Sequence, residues 1–199
     1  EYLKQGFKAI KVKLGKDLAE DIERMVKMRE QFGYGYAIRI DANQGYDSQQ
    51  TIEFYQKTKH LKIELIEQPL PAKAIQEMKA LPDEVREVIA ADESLISPKD
   101  ALNLVKPPRA CGIFNIKLMK CGGITQGLKI ADIALQEGID LFWGCNDESI
   151  ISITAALHAA FACSNTKYID LDGSLDLAQD VVLGGFILKE GIMYCSDKP

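Results

Sequence analysis

Histidine is scarce in this chain, at two residues in 199. The five cysteines (Cys111, Cys121, Cys145, Cys163, Cys195) form no C-x-x-C pair and no Cys/His spacing suited to zinc. Their number is odd, and they read as the reduced thiols of a cytoplasmic protein. No apolar run approaches the roughly 18 residues that a bilayer span needs, so no membrane partner is expected. The net charge is −5 and no Lys/Arg stripe occurs, which argues against a nucleic-acid surface. Neither GxGxxG nor GxxxxGK[ST] is present, so the phosphate loop that a doubly wound open sheet would carry is missing. Low-complexity linkers are lacking too, and one domain is the default at this length. The chain does not start with Met, and its opening EYLKQG reads as the end of a helix. It is expected to be a piece of a longer polypeptide.

What the chain does have is a charged residue at the end of almost every apolar run. Lys13 closes KAIKVK, Asp41 closes YAIRID and Glu67 closes IELIE. Asp92 closes EVIAAD, Lys117 closes GIFNIK and Asp170 closes KYID. The first five follow one another at intervals of 25 to 28 residues, and the sixth comes after two such intervals. The skipped stop falls at Trp143 to Cys145, after Ile139, Leu141 and Phe142. One strand, one helix and two loops take about 25 residues or more, so the period is a strand–helix repeat. Strands are expected at 8–13, 36–41, 62–67, 87–92, 112–118, 139–143 and 167–171. Helices are expected at 17–32, 48–59, 71–80, 98–105, 124–137 and 148–163. Asp47-Ser48, Ser97-Pro98 and Thr125 open helices, and Gly33 and Gly138 stop two others. The expected fold is α/β, a (β/α) TIM-type barrel over residues 1–180 with seven of its eight strands. A further strand is expected upstream of Glu1. Residues 181–199 form a short β-like tail outside the repeat.

Asp41, Glu67 and Asp92 end three consecutive strands, and neighbouring strands lie about 5 Å apart. Three carboxylates so close repel one another unless a cation sits among them. All-oxygen ligands suit a hard cation such as Mg²⁺, with positions left open for substrate. Acidic residues also begin loops as turn formers, but three in register favour the metal. Asn43 and Glu93 either orient these ligands or make ordinary loop hydrogen bonds. Lys11 and Lys13 share one strand face, while Ile10 and Val12 take the other. Lys117 shares a face with Asn115, while Phe114, Ile116 and Leu118 face outward. Partial burial beside other cations brings an amine toward neutrality, where it can serve as a base; a plain ion pair is the simpler alternative. Lys13 precedes the first carboxylate strand and Lys117 follows the last, so the two amines are expected on opposite sides of the metal. Lys120 reads as a loop residue, His158 as a core residue and His60 as a loop residue.

The set KVK, RIDANQG, IEQP, ADES and NIKLMKCGG resembles the barrel domain of the enolase superfamily, in its muconate-lactonizing subgroup. The resemblance implies that Asp41, Glu67 and Asp92 bind Mg²⁺, which holds a substrate carboxylate. It implies that Lys13 and Lys117 are the two bases that remove and return the α-proton through an enediolate. It also implies an N-terminal capping domain that closes the site, with the tail at 181–199 belonging to it. Within the subgroup, IDLDG resembles the D-x-D of dipeptide epimerases of the Ala-Glu type. Asp170 and Asp172 would then hold the α-ammonium of a dipeptide, although Asp-Gly is also a turn signal. Lys11, Cys145, Asn146 and Asp147 would face the substrate. Asp147 suits a polar or cationic side chain, or equally the N-cap of the next helix. The function implied is a Mg²⁺-dependent dipeptide epimerase, an isomerase acting on a small dipeptide, with a homo-oligomer as a possible assembly. The alternatives are a cycloisomerase, a dehydratase or an o-succinylbenzoate synthase, or a catalytically incompetent metal-binding lobe.

Overall fold

The computed structural model describes residues 2–196. The elements run β1 (Ala9–Lys13), α1 (Leu18–Phe32), β2 (Ala37–Asp41), α2 (Ser48–Thr58), β3 (Ile63–Glu67), α3 (Ile75–Ala80), α4 (Asp83–Arg86) and β4 (Ile89–Ala91). They continue with α5 (Pro98–Val105), β5 (Ile113–Ile116), α6 (Leu118–Cys121), α7 (Ile124–Gln136), β6 (Asp140–Gly144), α8 (Ile150–Ala162) and β7 (Thr166–Asp170). An antiparallel hairpin, β8 (Phe186–Lys189) and β9 (Ile192–Cys195), closes the order. The chain divides into two compact units. One comprises Lys8–Ser94 with Leu104–Ile113; the other takes the stretch up to Phe7, Leu95–Asn103 and the described residues from Phe114 onward.

In the first unit β1 to β4 pair in chain order, all parallel. Apolar side chains of one strand face, including Val12, Ile38, Ile40 and Ile66, join Met25 of α1 and Phe54 of α2 in a core cluster. The helices sit where their caps dictate. The Asp47 side chain accepts the Gln50 N–H at 2.8 Å while the Gln50 side chain accepts the Asp47 N–H at 3.0 Å, a reciprocal capping box that fixes the start of α2. Gly33, at φ 64, caps α1 through its N–H to the Arg29 carbonyl.

The loops after β1 and β2 meet backbone to backbone. A Cβ on Gly15 would lie 2.0 Å from the Ala42 oxygen, and one on Gly45 would lie 2.0 Å from the Gly15 oxygen. Asp21, buried on α1, accepts the Gly15 N–H and the Tyr46 hydroxyl, each at 2.8 Å. Burial, with this hydrogen bond and the carboxylate charge, raises the Tyr46 hydroxyl far above its ordinary value. The pair stitches two loops that follow site-bearing strands.

In the second unit β5, β6 and β7 are neighbours in chain order, with β6 and β7 parallel. Trp143 and Phe142 of β6 are fully buried, as are Ile153 and Leu157 of α8. The 181–199 tail supplies the β8–β9 hairpin; its last three residues lie outside those described.

Several boundaries differ from expectation. β4 is only three residues long because Glu87 still has helical geometry, with its N–H on the carbonyls of Asp83 and Val85. β5 stops at Ile116, since Lys117 caps the short helix α6, which therefore contains Lys120. α3 begins at Ile75 after a turn closed by the Ala74 N–H on the Pro71 oxygen. Gly123, not Thr125, precedes α7. His158 is exposed rather than buried, because α8 packs through Ile153, Ala156, Leu157 and Ala160 and turns position 158 away. His60 lies in a 3-10 turn, Lys59–Leu61, and is exposed.

Candidate active site

Strand register lines up the charged residues of the first unit. Lys13 is opposite Asp41, and Asp41 is opposite Glu67. Glu67 is opposite Ala90, and Asp92 lies one residue past the end of β4. Asp41, Glu67 and Asp92 are all buried. Buried carboxylates need compensating cations, since desolvating an uncompensated ion costs several kcal/mol. Two amines answer. Lys13 Nζ donates to Asp41 Oδ2 at 2.5 Å, and Lys11 Nζ is 3.5 Å from Glu67 Oε2. Lys11 is largely covered, but the Lys13 side chain is 63% exposed. The cause is its strand: β1 stands at the end of the strand order, with β2 as its partner.

Among the described residues, no three carboxylate, imidazole or thiol groups close into a ready ligand cage. Asp41 and Glu67 are each turned toward an amine. The donor chemistry nevertheless fits a hard cation: three oxygen-bearing side chains, buried, on consecutive strand ends. Asn43 contributes through its main chain, its N–H donating to Asp41 Oδ1 at 2.9 Å while the residue itself is exposed. Glu93 is half-buried, and its Oε2 has no hydrogen-bond partner among the described residues.

The second unit carries the remaining candidates. Lys117 is buried, and its Nζ is 3.5 Å from Asn146 Oδ1. Asn115 is fully buried beside the end of β6, where a Cβ on Gly144 would lie 2.4 Å from Asn115 Oδ1. Cys145 is half-buried, and its Sγ accepts the Gly173 N–H at 3.3 Å. The same thiol lies 3.3 Å from the Asp170 carbonyl and 3.8 Å from Asp172 Oδ1. Burial, with the Asp172 and Asp170 charges adding to it, pushes the thiol up to about 12. Asp170 ends β7, but Asp172 lies beyond it in an exposed loop, so the two do not share a strand face. The chain turns there because Gly173 packs against the Asn146 carbonyl, which a Cβ would approach to 1.9 Å.

Asp147 is exposed and is not the cap of α8. Ser149 holds the N-cap position, and the Ile150 N–H is taken by Asp180 Oδ2 at 2.6 Å. Glu148 accepts the Asn146 N–H at 2.9 Å and the Ser152 hydroxyl. Sequence reading missed Asp180, which lies 30 residues along the chain from the helix it caps. It also missed Asp21, although a carboxylate one turn before Met25 on an apolar helix face was a signal.

Residues 1–199 match the enolase C-terminal domain-like family, and the chain belongs to that family. Its α/β fold, strand–helix repeats followed by a small antiparallel hairpin, is the family's. The chain is 53% identical over 199 residues to the L-Lys-D/L-Arg epimerase of Desulforapulum autotrophicum, covering 100% of this chain and 56% of that protein. It is 41% identical to the L-Ala-D/L-Glu epimerase of Clostridium acetobutylicum, over 99% of this chain and 55% of the relative. A crystal structure of the dipeptide epimerase from Methylococcus capsulatus, complexed with Mg and the dipeptide L-Arg-D-Lys, is similar at a TM-score of 0.95 and 52% identity. That similarity covers 98% of this chain and 55% of the other. The chain spans about half the length of the curated relatives it matches.

Proposed function

We propose that the protein is a Mg²⁺-dependent dipeptide epimerase, and that its substrates are dipeptides with cationic side chains. The observation that carries the reading is the row of buried carboxylates, Asp41, Glu67 and Asp92, on consecutive strand ends beside the amines of Lys11 and Lys13. In this reading those three acids hold Mg²⁺, which neutralises charge developing on the substrate carboxylate. Lys13 and Lys117 exchange the proton on the α-carbon next to that carboxylate, one from each face, which inverts the centre. Lys11, beside Glu67, balances negative charge where the substrate carboxylate arrives. Asp170 and Asp172 receive the free α-ammonium by charge-assisted hydrogen bonds, with the Cys145 thiol bridging the loop that carries them.

The substrate class is supported by the Desulforapulum relative, whose name gives Lys and Arg. It is also supported by Asp147, which is exposed and free of the capping role that competed for it. Asn146 lies next to it and within reach of Lys117. The five free thiols support a cytoplasmic setting, and no helix among the described residues is long and apolar enough to cross a membrane. Assembly as a homo-oligomer is part of the same proposal.

The test is a competition among dipeptides. Full-length protein is incubated with Mg²⁺ and an equimolar mixture of L-Lys-L-Arg, L-Ala-L-Glu and L-Leu-L-Tyr, and the epimers are resolved chromatographically. The cationic dipeptide should be turned over at least ~10-fold faster, the scale of one buried or partly buried charge contact. Preference for L-Ala-L-Glu would overturn the substrate class, and inversion of none of them would overturn the epimerase reading.

A further inference from the structure

We propose that Gln68 is a positioning residue that locks the three carboxylate-bearing strand ends together and so sets the affinity for the divalent cation. The proposal rests on the reading that Asp41, Glu67 and Asp92 hold Mg²⁺. Gln68 directly follows Glu67, is fully buried, and takes no part in the chemistry outlined above. Its Oε1 accepts the Asp92 N–H at 3.0 Å, the Ser94 N–H at 3.2 Å and the Ser94 hydroxyl at 2.9 Å. Its Nε2 donates to the Leu70 carbonyl at 2.9 Å and faces Met78 Sδ at 3.8 Å.

Asp92 lies one residue past the end of β4, and its N–H goes to this side chain rather than to a strand carbonyl. The main chain of Gln68 makes two further ties. Its N–H donates to the Ala90 carbonyl at 2.9 Å, and its carbonyl accepts the Gln44 N–H at 2.7 Å from the loop after Asp41. One residue therefore adjoins Glu67, holds the Asp92 main chain and ties down the loop after Asp41. Gln68 holds φ at 35, and Asn43 and Gln44 are also left-handed, at 44 and 63. Such conformations in non-glycine residues persist only when their surroundings over-determine them. Glutamine is required because one end must accept and the other must donate. Glutamate lacks the donor, and asparagine is one methylene short of Asp92.

The experiment measures Mg²⁺ affinity by titration calorimetry on the full-length protein, with catalysis as a second readout. Groups that orient metal ligands typically change affinity by 10–100-fold when removed. Gln68→Met, which keeps the volume and removes both polar ends, is expected to weaken Mg²⁺ binding at least ~10-fold. Under saturating Mg²⁺ its kcat should fall far less than its apparent Mg²⁺ activation constant rises. Gln68→Asn, which keeps the amide but shortens its reach, should show the same split and serves if the Met variant does not fold. Thr58→Val removes a buried hydroxyl bond to the Phe54 carbonyl inside α2; it should lower the Tm and leave Mg²⁺ affinity unchanged. Native affinity in both Gln68 variants overturns the proposal, as does an affinity loss in Thr58→Val that matches theirs. Separately, Asp92→Asn and Asp41→Asn should abolish binding. If they bind Mg²⁺ as the native protein does, the metal reading itself fails.

Discussion

Lys13 and Lys117 have unlike surroundings. Lys13 is solvent-reachable and paired with Asp41, whereas Lys117 is buried near Asn146. If each serves one face of the α-carbon, removing one should leave the other able to exchange its own proton. Lys117→Ala is therefore expected to incorporate solvent deuterium into one epimer only, with epimerisation reduced by about two orders of magnitude or more, the weight of a general base. Lys13→Ala should label the opposite epimer, as read by mass spectrometry of the unconverted substrate. Full epimerisation by either variant contradicts the two-base scheme. In the proposed site Asp172 serves recognition instead. Asp172→Asn should raise KM for a free dipeptide about 10-fold or more while changing kcat little. An N-acetylated dipeptide, lacking the ammonium, should gain relative to the free one in that variant. An unchanged ratio of the two kcat/KM values would reduce the D-x-D to a turn.

Helices and strands here are set by their ends more than by their middles. The reciprocal bonds between Asp47 and Gln50 satisfy two N–H groups that α2 would otherwise leave to water. Asp47→Ala should cost about 1 kcal/mol, read as a lower midpoint in urea with an unchanged slope. Much of this was legible in the chain. Lys13, Asp41, Glu67 and Asp170 each fell at the end of a strand, because an apolar run is readable on its own and a polar residue ends it. Asp47-Ser48 and Gly33 announced their caps for the same local reason. What could not be read depends on distant partners. Asp180 caps α8 from 30 residues away, and Gln68 holds Asp92 across 24. The short helices α4 and α6 were missed because four residues carry too little periodicity to register. These helices also cut β4 and β5 below their expected spans, since Glu87 keeps helical geometry after α4 and Lys117 leaves its strand to cap α6.

For the molecule as a whole, buried thiols make alkaline pH destabilising. Cys111 is fully buried, and that burial pushes its thiol up to about 12. In the unfolded chain the same thiol ionises near 8.5. Between those values the folded state holds the proton and the unfolded state releases it, so stability falls as pH rises. The slope approaches about 1.4 kcal/mol per pH unit for one such thiol. Urea midpoints measured from pH 8 to 10.5 should decline, and Cys111→Ala should flatten that decline whatever its effect at pH 8. An identical slope in the variant would contradict the assignment. At this scale the proposed function turns on one step, metal-dependent exchange of an α-proton on a dipeptide. The most direct measurement incubates full-length protein with L-Lys-L-Arg in D₂O, once with Mg²⁺ and once with excess chelator, and follows the substrate mass and epimer ratio together. The expected result is a gain of one deuterium at the C-terminal residue with formation of the D-epimer, abolished by chelation and restored by added Mg²⁺. No deuterium uptake in the presence of Mg²⁺, or uptake that the chelator leaves unchanged, would contradict it.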